Sequence, residues 1–438
     1  MNGVNDPAED MNLDLAYDTL DCQGPQGPTG ATGAAGPLGV AGTACWDTNM
    51  NGVNDPGEDV NGDSAFDTVD CQGMPGVGID RPGFARTTLD STGTTGEDTS
   101  IAIGVDGLGL ISYYDATNAH LKVAHCSNVG CTSATTATVD NASVVGQYTS
   151  ITIGADGLGM ISYYDGWFGD LRVAHCNDIA CASATNATLD SAGNVGMYTS
   201  IAIGIDGLGL ISYFDATNLD LKVAHCSDAA CTAATVATLD SVGVVGEYND
   251  MTIGVDGLGL ISYFELGNND LKVAHCSDVA CTTSTTTTLD SAGDVGLYTS
   301  ITIGADGLGL ISYYDFLGFD LKVAHCADLT CTAASAATLD SVGAVGSHTS
   351  ITVGADGLGL ISYHDFTNFV VKVAHCSSVA CSTATTATLE SAGTGGVYTS
   401  ITIGADGLAL VSYYDVAGFD LKVAHLSNVF GLPYVRYR

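Results

Sequence analysis

Residues 100–115 read SIAIGVDGLGLISYYD, and residues 150–165 repeat them as SITIGADGLGMISYYD. The same motif returns at 200, 250, 300, 350 and 400, altered most at 250, where Asp250 and Met251 replace Ser and Ile. So regular a period takes precedence over any division of 438 residues into ordinary domains. Within the first repeat, apolar and β-branched runs predict four strands, near 100–104, 108–115, 121–126 and 135–140. Asp106-Gly107, Asn118 and the stretch from Cys126 to Cys131 supply the turns between them. Four short strands per unit, seven times over, point to an all-β chain folded as a seven-bladed β-propeller.

The ends of the array distinguish a closed ring from an open stack. TTLDS at 87–91 matches the fourth strand of every unit, whereas the seventh repeat ends before its own copy. That surplus N-terminal strand can complete the last blade and hide edges that would otherwise pair with other chains. Ser100, Ala102 and Gly104 are small, as an innermost strand requires where seven backbones crowd round an axis. The expected head is residues 86–431, after a linker at 74–85 and before a C-terminal tail at 432–438. In the tail, Tyr434, Val435, Arg436, Tyr437 and Arg438 have strand-forming character and two basic charges. They suit docking on an acidic surface of another subunit, or addition to the seventh blade as its fourth strand. The repeats resemble the 50-residue ISYYD…DLKVAH repeats of secreted bacterial propeller proteins, similar at fold level to sialidases and lectins. That resemblance implies a fold rather than an activity.

Charge and cysteine bound the setting. Asp plus Glu number 49 against 11 Lys plus Arg, a formal charge of -38, so nucleic acid phosphates and anionic membranes are repelled and cations are the natural counterparts. No apolar run is long enough to insert in a bilayer. Cysteines recur as C-x4-C: Cys126/Cys131, Cys176/Cys181, Cys226/Cys231, Cys276/Cys281, Cys326/Cys331 and Cys376/Cys381. Without further ligands at zinc spacing these read as local disulfides, placing the chain outside the cell or on its surface.

Ahead of the head, residues 1–80 contain fourteen acidic residues and no Lys or Arg. Residues 47–58 (DTNMNGVNDPGE) present Asp47, Asn49, Asn51, the Val53 carbonyl, Asp55 and Glu58 at the positions by which a twelve-residue loop wraps Ca2+. A second loop offers Asp59, Asn61, Asp63, the Ala65 carbonyl, Asp67 and Asp70. An earlier copy keeps Asp10, Asn12, Asp14, Ala16, Asp18 and Asp21. These tandem loops, without flanking helices, resemble thrombospondin type 3 repeats, which implies folding around calcium. Residues 24–44 form seven unbroken Gly-X-Y triplets, the mark of a collagen-like triple helix and hence of a homotrimer. The stalk thus divides into a partial calcium-loop unit at 1–23, the triplets at 24–44 and a calcium-loop unit at 45–73. Cys45 is expected to pair with Cys71, within one chain or between chains of the trimer. Because residues 1–24 match 50–73, Met1 falls inside a repeated unit whose opening residues are expected upstream, leaving Cys22 without its partner.

Each repeat carries a His at one recurrent position (His125, His175, His225, His275, His325, His375, His425) and one base (Lys122, Arg172, Lys222, Lys272, Lys322, Lys372, Lys422). The histidines read as hydrogen-bonded structural residues, and each base as the partner of an Asp in its own blade, such as Asp115 or Asp165. The repeats hold a single arginine, Arg172, where a sialidase needs several to grip a carboxylate, and nearly all charges recur from blade to blade. The expectation is therefore a chain that is not an enzyme. Variation concentrates between the second and third strands, placing Trp167, Phe168, Phe316, Phe319, Phe366, Phe369 and Phe419 on one face. They form a contact surface for glycan or protein unless each ring folds back on its own blade. Two functions fit: a subunit of a surface appendage or filament trimerised by its stalk, or a glycan- or protein-binding adhesin whose stalk is a spacer.

Overall fold

The computed structural model describes residues 84–390 and 395–426. Two compact units divide the chain, Met1–Val77 and Gly78–Arg438. The calcium loops, the Gly-X-Y triplets, Cys22, Cys45, Cys71 and the tail at 432–438 all lie outside the described residues.

Seven four-stranded antiparallel sheets make up the head. Blade 1 runs from an inner strand, Thr95–Ile103, through Gly109–Asp115 and His120–Cys126 to an outer strand, Ala134–Asp140. Blades 2 to 6 repeat this order. Blade 7 takes its inner three strands from Gly396–Ile403, Ala409–Asp415 and Asp420–Leu426, and its outer strand from Phe84–Asp90. The surplus strand pairs antiparallel in the register Ala85 to His425 and Thr87 to Val423. It occupies the place that the tail would need as a fourth strand, which removes that option.

The inner strand of blade 1 begins at Thr95 rather than near residue 100, because the chain bulges at its start. The register shifts between Thr95 and Glu97 and again before Ser100. Gly96 takes φ +104° and Asp98 φ +51° there. A Cβ on Gly96 would lie 2.7 Å from the Leu421 Cα, so only glycine lets the backbones of adjoining blades approach this closely.

Two unbroken hydrogen-bond rings tie the blades together. In the first, residue 99 or its equivalent joins the serine at 112 or its equivalent in the preceding blade, at 2.5 to 3.0 Å, ending with Thr99 on Ser412. In the second, the backbone N–H of residue 101 and its equivalents donates to the Ser Oγ of the preceding blade at 3.1 to 3.3 Å. Asp250 takes the serine's place once, accepting from the Ile301 N–H at 2.8 Å and from Ser200 and Ser300. Buried clusters likewise straddle blades: Leu121 and Val123 of blade 1 pack with Ile161 and Tyr163 of blade 2, and Leu421 and Val423 of blade 7 with Ile111 and Tyr113 of blade 1.

All six C-x4-C pairs are disulfides: Cys126–Cys131, Cys176–Cys181, Cys226–Cys231, Cys276–Cys281, Cys326–Cys331 and Cys376–Cys381, with Cα atoms 4.8 to 4.9 Å apart. The first cysteine of each ends a third strand, as Cys126 and Cys176 do. The second stands outside the strands, and its backbone departs from what the spacing alone suggests. Cys131, Cys181, Cys231, Cys281, Cys331 and Cys381 are all left-handed, with φ between 48° and 53°. Each donates its N–H at 2.9 to 3.0 Å to the carbonyl three residues earlier, as Cys181 does to Asp178, Cys331 to Asp328 and Cys381 to Ser378. That tight turn carries the chain back within five residues, at a conformational cost that the bridge and full burial of both sulfurs offset. These cysteines are thus scaffold rather than a ligand or metal site. Such a set of bridges fits an extracellular protein. Among the described residues no helix is long and apolar enough to cross a membrane.

Candidate functional site

The recurrent polar residues are absorbed by the scaffold. Each histidine holds the aspartate of its blade's Asp-Gly turn, as His125 Nε2 does Asp106 Oδ2 at 2.9 Å and His275 does Asp256 at 2.8 Å. Most of the bases pair with an aspartate of their own blade, as expected, but lie closer to one from the preceding blade. Lys222 Nζ lies 2.6 Å from Asp190, at the end of the preceding blade's outer strand, and 3.6 Å from its own Asp215. Lys122 likewise holds Asp90 more closely than Asp115, and Arg172 is nearer Asp140 than Asp165. The same outer-strand aspartate accepts from a fully buried tyrosine, as Asp190 does from the Tyr213 OH at 2.7 Å. Lys422 lies 2.5 Å from Asp415 of its own blade, and Glu390 stands where the other blades have the outer-strand aspartate. Each of the seven recurrent bases is therefore engaged by a carboxylate rather than free to meet an anionic ligand.

Strand direction gives the head two different faces. Inner strands start, second strands end and outer strands end on one face. This face therefore carries the 2–3 loops and the links between blades, while the Asp-Gly turns and disulfide loops share the other. At the axis of the first face the bulge places Asp98, Tyr148, Tyr198, Tyr248, Tyr298, His348 and Tyr398, each with φ between 51° and 53°. Left-handed backbone is costly for such residues, and seven copies of it gather at one point. Neighbouring rings from Tyr148 round to Tyr398 stand 4.3 to 4.8 Å apart between centroids. They wall a cup of about 200 Å³ floored by Thr99, its equivalents and Asn249. Asp98 interrupts the aromatic series and accepts the Tyr148 N–H at 2.8 Å. Burial pushes its carboxyl up to about 6, opposed by the Tyr148 bond and helped by Glu97.

Outward from the cup a cleft of about 550 Å³ crosses blades 5 to 7. Phe316 and Phe319 line it from blade 5, Phe366 and Phe369 from blade 6, with His348 and His364 beneath. All four phenylalanines are exposed, at 48, 47, 60 and 45%. Within each pair the rings are 6.0 and 5.1 Å apart. Phe319 and Phe369 also adopt positive φ, at 58° and 51°, where blade 2 has Gly169 and blade 4 Asn269. Trp167, Phe168 and Phe419 are exposed on the same face but do not line this cleft. Burial lowers His348 to about 3, helped by His364, and lowers His364 to about 4 against the pull of Asp365, so both rings are uncharged at neutral pH. Each keeps one ring nitrogen, His348 Nδ1 and His364 Nε2, without a hydrogen-bond partner among the described residues. No Lys or Arg is among the described residues lining the cleft.

Sequence reasoning identified the four phenylalanines but not Asp98, His348 or His364. The available signal was departure from the repeat, since other blades have Tyr at the positions of 98 and 348 and Tyr or Phe at that of 364.

No family model matches the sequence, and no curated protein matches it. Solved structures do match the fold. A protein of unknown function from Dyadobacter fermentans superposes with a TM-score of 0.51 at 12% identity, covering 79% of this chain and all of that one. A polysaccharide lyase gives 0.50 at 9% identity, covering 76% of this chain and 90% of that one. A Hadza microbial sialidase gives 0.44 at 10%, covering 77% and 66%. At these identities the likeness is one of fold. It nonetheless overturns the expectation that the chain is not an enzyme: a polysaccharide lyase shares this fold, so neither the propeller nor its repetition excludes catalysis. The recurrence of charges, on which that expectation rested, also fails at this face, where Asp98, His348 and His364 each occur once.

Proposed function

We propose that the head binds a neutral glycan in the cleft over blades 5 to 7, with the stalk as a calcium-ordered spacer. The carrying observation is the convergence of Phe316, Phe319, Phe366 and Phe369 on one apolar cleft that leads to the axial aromatic cup. Aromatic faces pack against the C–H faces of sugars, and exposed rings on a rigid scaffold do so at little entropic cost. Neutrality follows from charge. A uronate or sialate carboxylate would enter a cleft with no lining cation, with uncharged histidines, in a chain of formal charge -38. The lyase that shares the fold acts on a polysaccharide by its name, which agrees with a glycan as ligand. The filament reading rests on the stalk alone and draws no support from the described residues.

Backbone strain at Phe369 supplies the test. Asparagine is the natural occupant of this position in blade 4, so Phe369→Asn relieves left-handed strain worth about 1 kcal/mol. Stability should hold or rise while affinity falls, and Phe366→Ala combined with it should lower affinity at least about tenfold, since each lost aromatic contact is worth ~1 kcal/mol. The measurement is a panel of neutral and acidic oligosaccharides presented to the intact chain and to the variants, with thermal unfolding in parallel. Preference for acidic glycans, or equal binding by wild type and the double variant, would reject the reading.

A further inference from the structure

We propose that the axial cup is a second binding site, for an organic cation such as a quaternary ammonium group, held on Asp98 within the collar of aromatic rings. Six of the seven positions round the axis are aromatic, and the seventh, where a tyrosine would complete the series, is a carboxylate. Aromatic rings attract cations through their quadrupoles, and a carboxylate among them adds a formal charge; the combination is how alkylammonium heads are recognised. Among the described residues no Lys, Arg or His forms an ion pair with Asp98, so its charge is unmatched within the head. The chain's net charge of -38 raises the local concentration of any cation.

Other ligand classes fit less well. Hard metal ions want several oxygen ligands, and the described residues contain no group of three metal-ligating side chains. An anion would meet Asp98 and Glu97 beside it, and Glu247, which acts on the collar residues Tyr148 and Tyr198. An uncharged ligand leaves the placement of an acid in an aromatic collar without a purpose. The acid's protonation ties binding to pH. Asp98 is surrounded by Glu97 on its own strand, Tyr114 on the next strand of blade 1, Tyr148 of blade 2 and Tyr398 of blade 7. With burial raising its carboxyl to about 6, the cup is fully anionic only above that pH, and cation affinity falls as pH drops through it.

Tetramethylammonium and choline can be titrated into the full chain by calorimetry, with 3,3-dimethylbutanol as the uncharged counterpart of choline. Both cations should bind at pH 8 at least about tenfold more tightly than the alcohol, more weakly in high salt and more weakly again at pH 5. Asp98→Asn should cost at least about tenfold, the share of a lost charge, and so should Asp98→Tyr, which installs the residue that five of the other six blades carry and so keeps the fold. Glycan binding to the outer cleft, read on the same variants, should not change, which separates this site from the first. Equal binding of choline and dimethylbutanol, no binding of either cation, or undiminished binding by a folded Asp98→Asn protein would overturn the proposal.

Discussion

Deleting residues 84–90 is expected to abolish the cooperative folding of the head, although only one of the 28 strands among the described residues is removed. The strand supplies the outer edge of blade 7, pairing along Asp420–Leu426. Without it that edge is left open to other chains. Asp90 at its end accepts from the Tyr113 OH at 2.7 Å and pairs with Lys122, so both lose this partner in blade 1. Lys122 keeps Asp115 at 3.8 Å, but leaving the buried Tyr113 hydroxyl unsatisfied costs about 1–3 kcal/mol, a sizeable part of the ~5–15 kcal/mol that stabilises a typical domain. Loss of strand pairing and of Leu89, which packs on the cluster joining blades 7 and 1, adds to it. Thermal melting with size-exclusion chromatography is the check. Expected is a broad or absent transition with association of the opened rings. A monomer melting at the wild-type temperature would show that the ring does not depend on this strand.

The second large effect is expected from Asp240→Ala. Asp240 accepts from the Tyr263 OH at 2.7 Å and pairs with Lys272 Nζ at 2.6 Å, while Lys272 also lies 5.6 Å from the Tyr263 ring. Blade 4 has Glu265 where other blades have Asp, and Asp240 is the ion-pair partner of Lys272 seen among the described residues. Removing the carboxylate leaves a buried ammonium and a buried hydroxyl, a loss of about 3–5 kcal/mol by denaturant unfolding at neutral pH. The effect depends on pH with a defined sign. Burial pushes the Asp240 carboxyl up, but Lys272, Tyr263 and the Val242 N–H together hold it below its ordinary value. A depressed folded pKa contributes stability that is complete above the ordinary aspartate range and is lost as pH falls through the folded value. The advantage of wild type over Asp240→Ala should therefore be constant above about pH 5 and shrink below pH ~4. An advantage that is small at pH 7, or independent of pH down to 3, would contradict the triad.

The blades and their closure were legible because repetition multiplies a weak strand signal and because TTLDS at 87–91 is a visible surplus. Other features were hidden for physical reasons. In sequence Lys222 faces Asp215 across its own hairpin, but the outer strand of the previous blade brings Asp190 closer, a contact between sheets that strand periodicity does not encode. The inner strands start earlier than their alternation because Gly96 and Asp98 leave extended geometry at the bulge. The C-x4-C spacing gave the six bridges but not the left-handed backbone at Cys231 or Cys281, since cysteine is no residue that marks such a turn. The axial collar is hidden in the sequence because Tyr148 and its equivalents recur, and recurrence reads as scaffold. In a closed ring, recurrence also assembles seven side chains at one point. Only departures from it, at Asp98, His348 and His364, mark the asymmetric part. The phenylalanines were visible as loop variation, but that four of the seven aromatic residues share a cleft follows from blades 5 and 6 being neighbours.

The most direct test of the glycan-binding face is hydrogen exchange of the intact chain with and without a saturating neutral oligosaccharide chosen from the panel. Protection is expected in the 2–3 loops at 316–319 and 366–369 and at the start of the inner strand of blade 6, with the disulfide loops on the opposite face unchanged. Protection confined to the disulfide-loop face, or spread evenly over all seven blades, would place the ligand elsewhere and contradict the assignment.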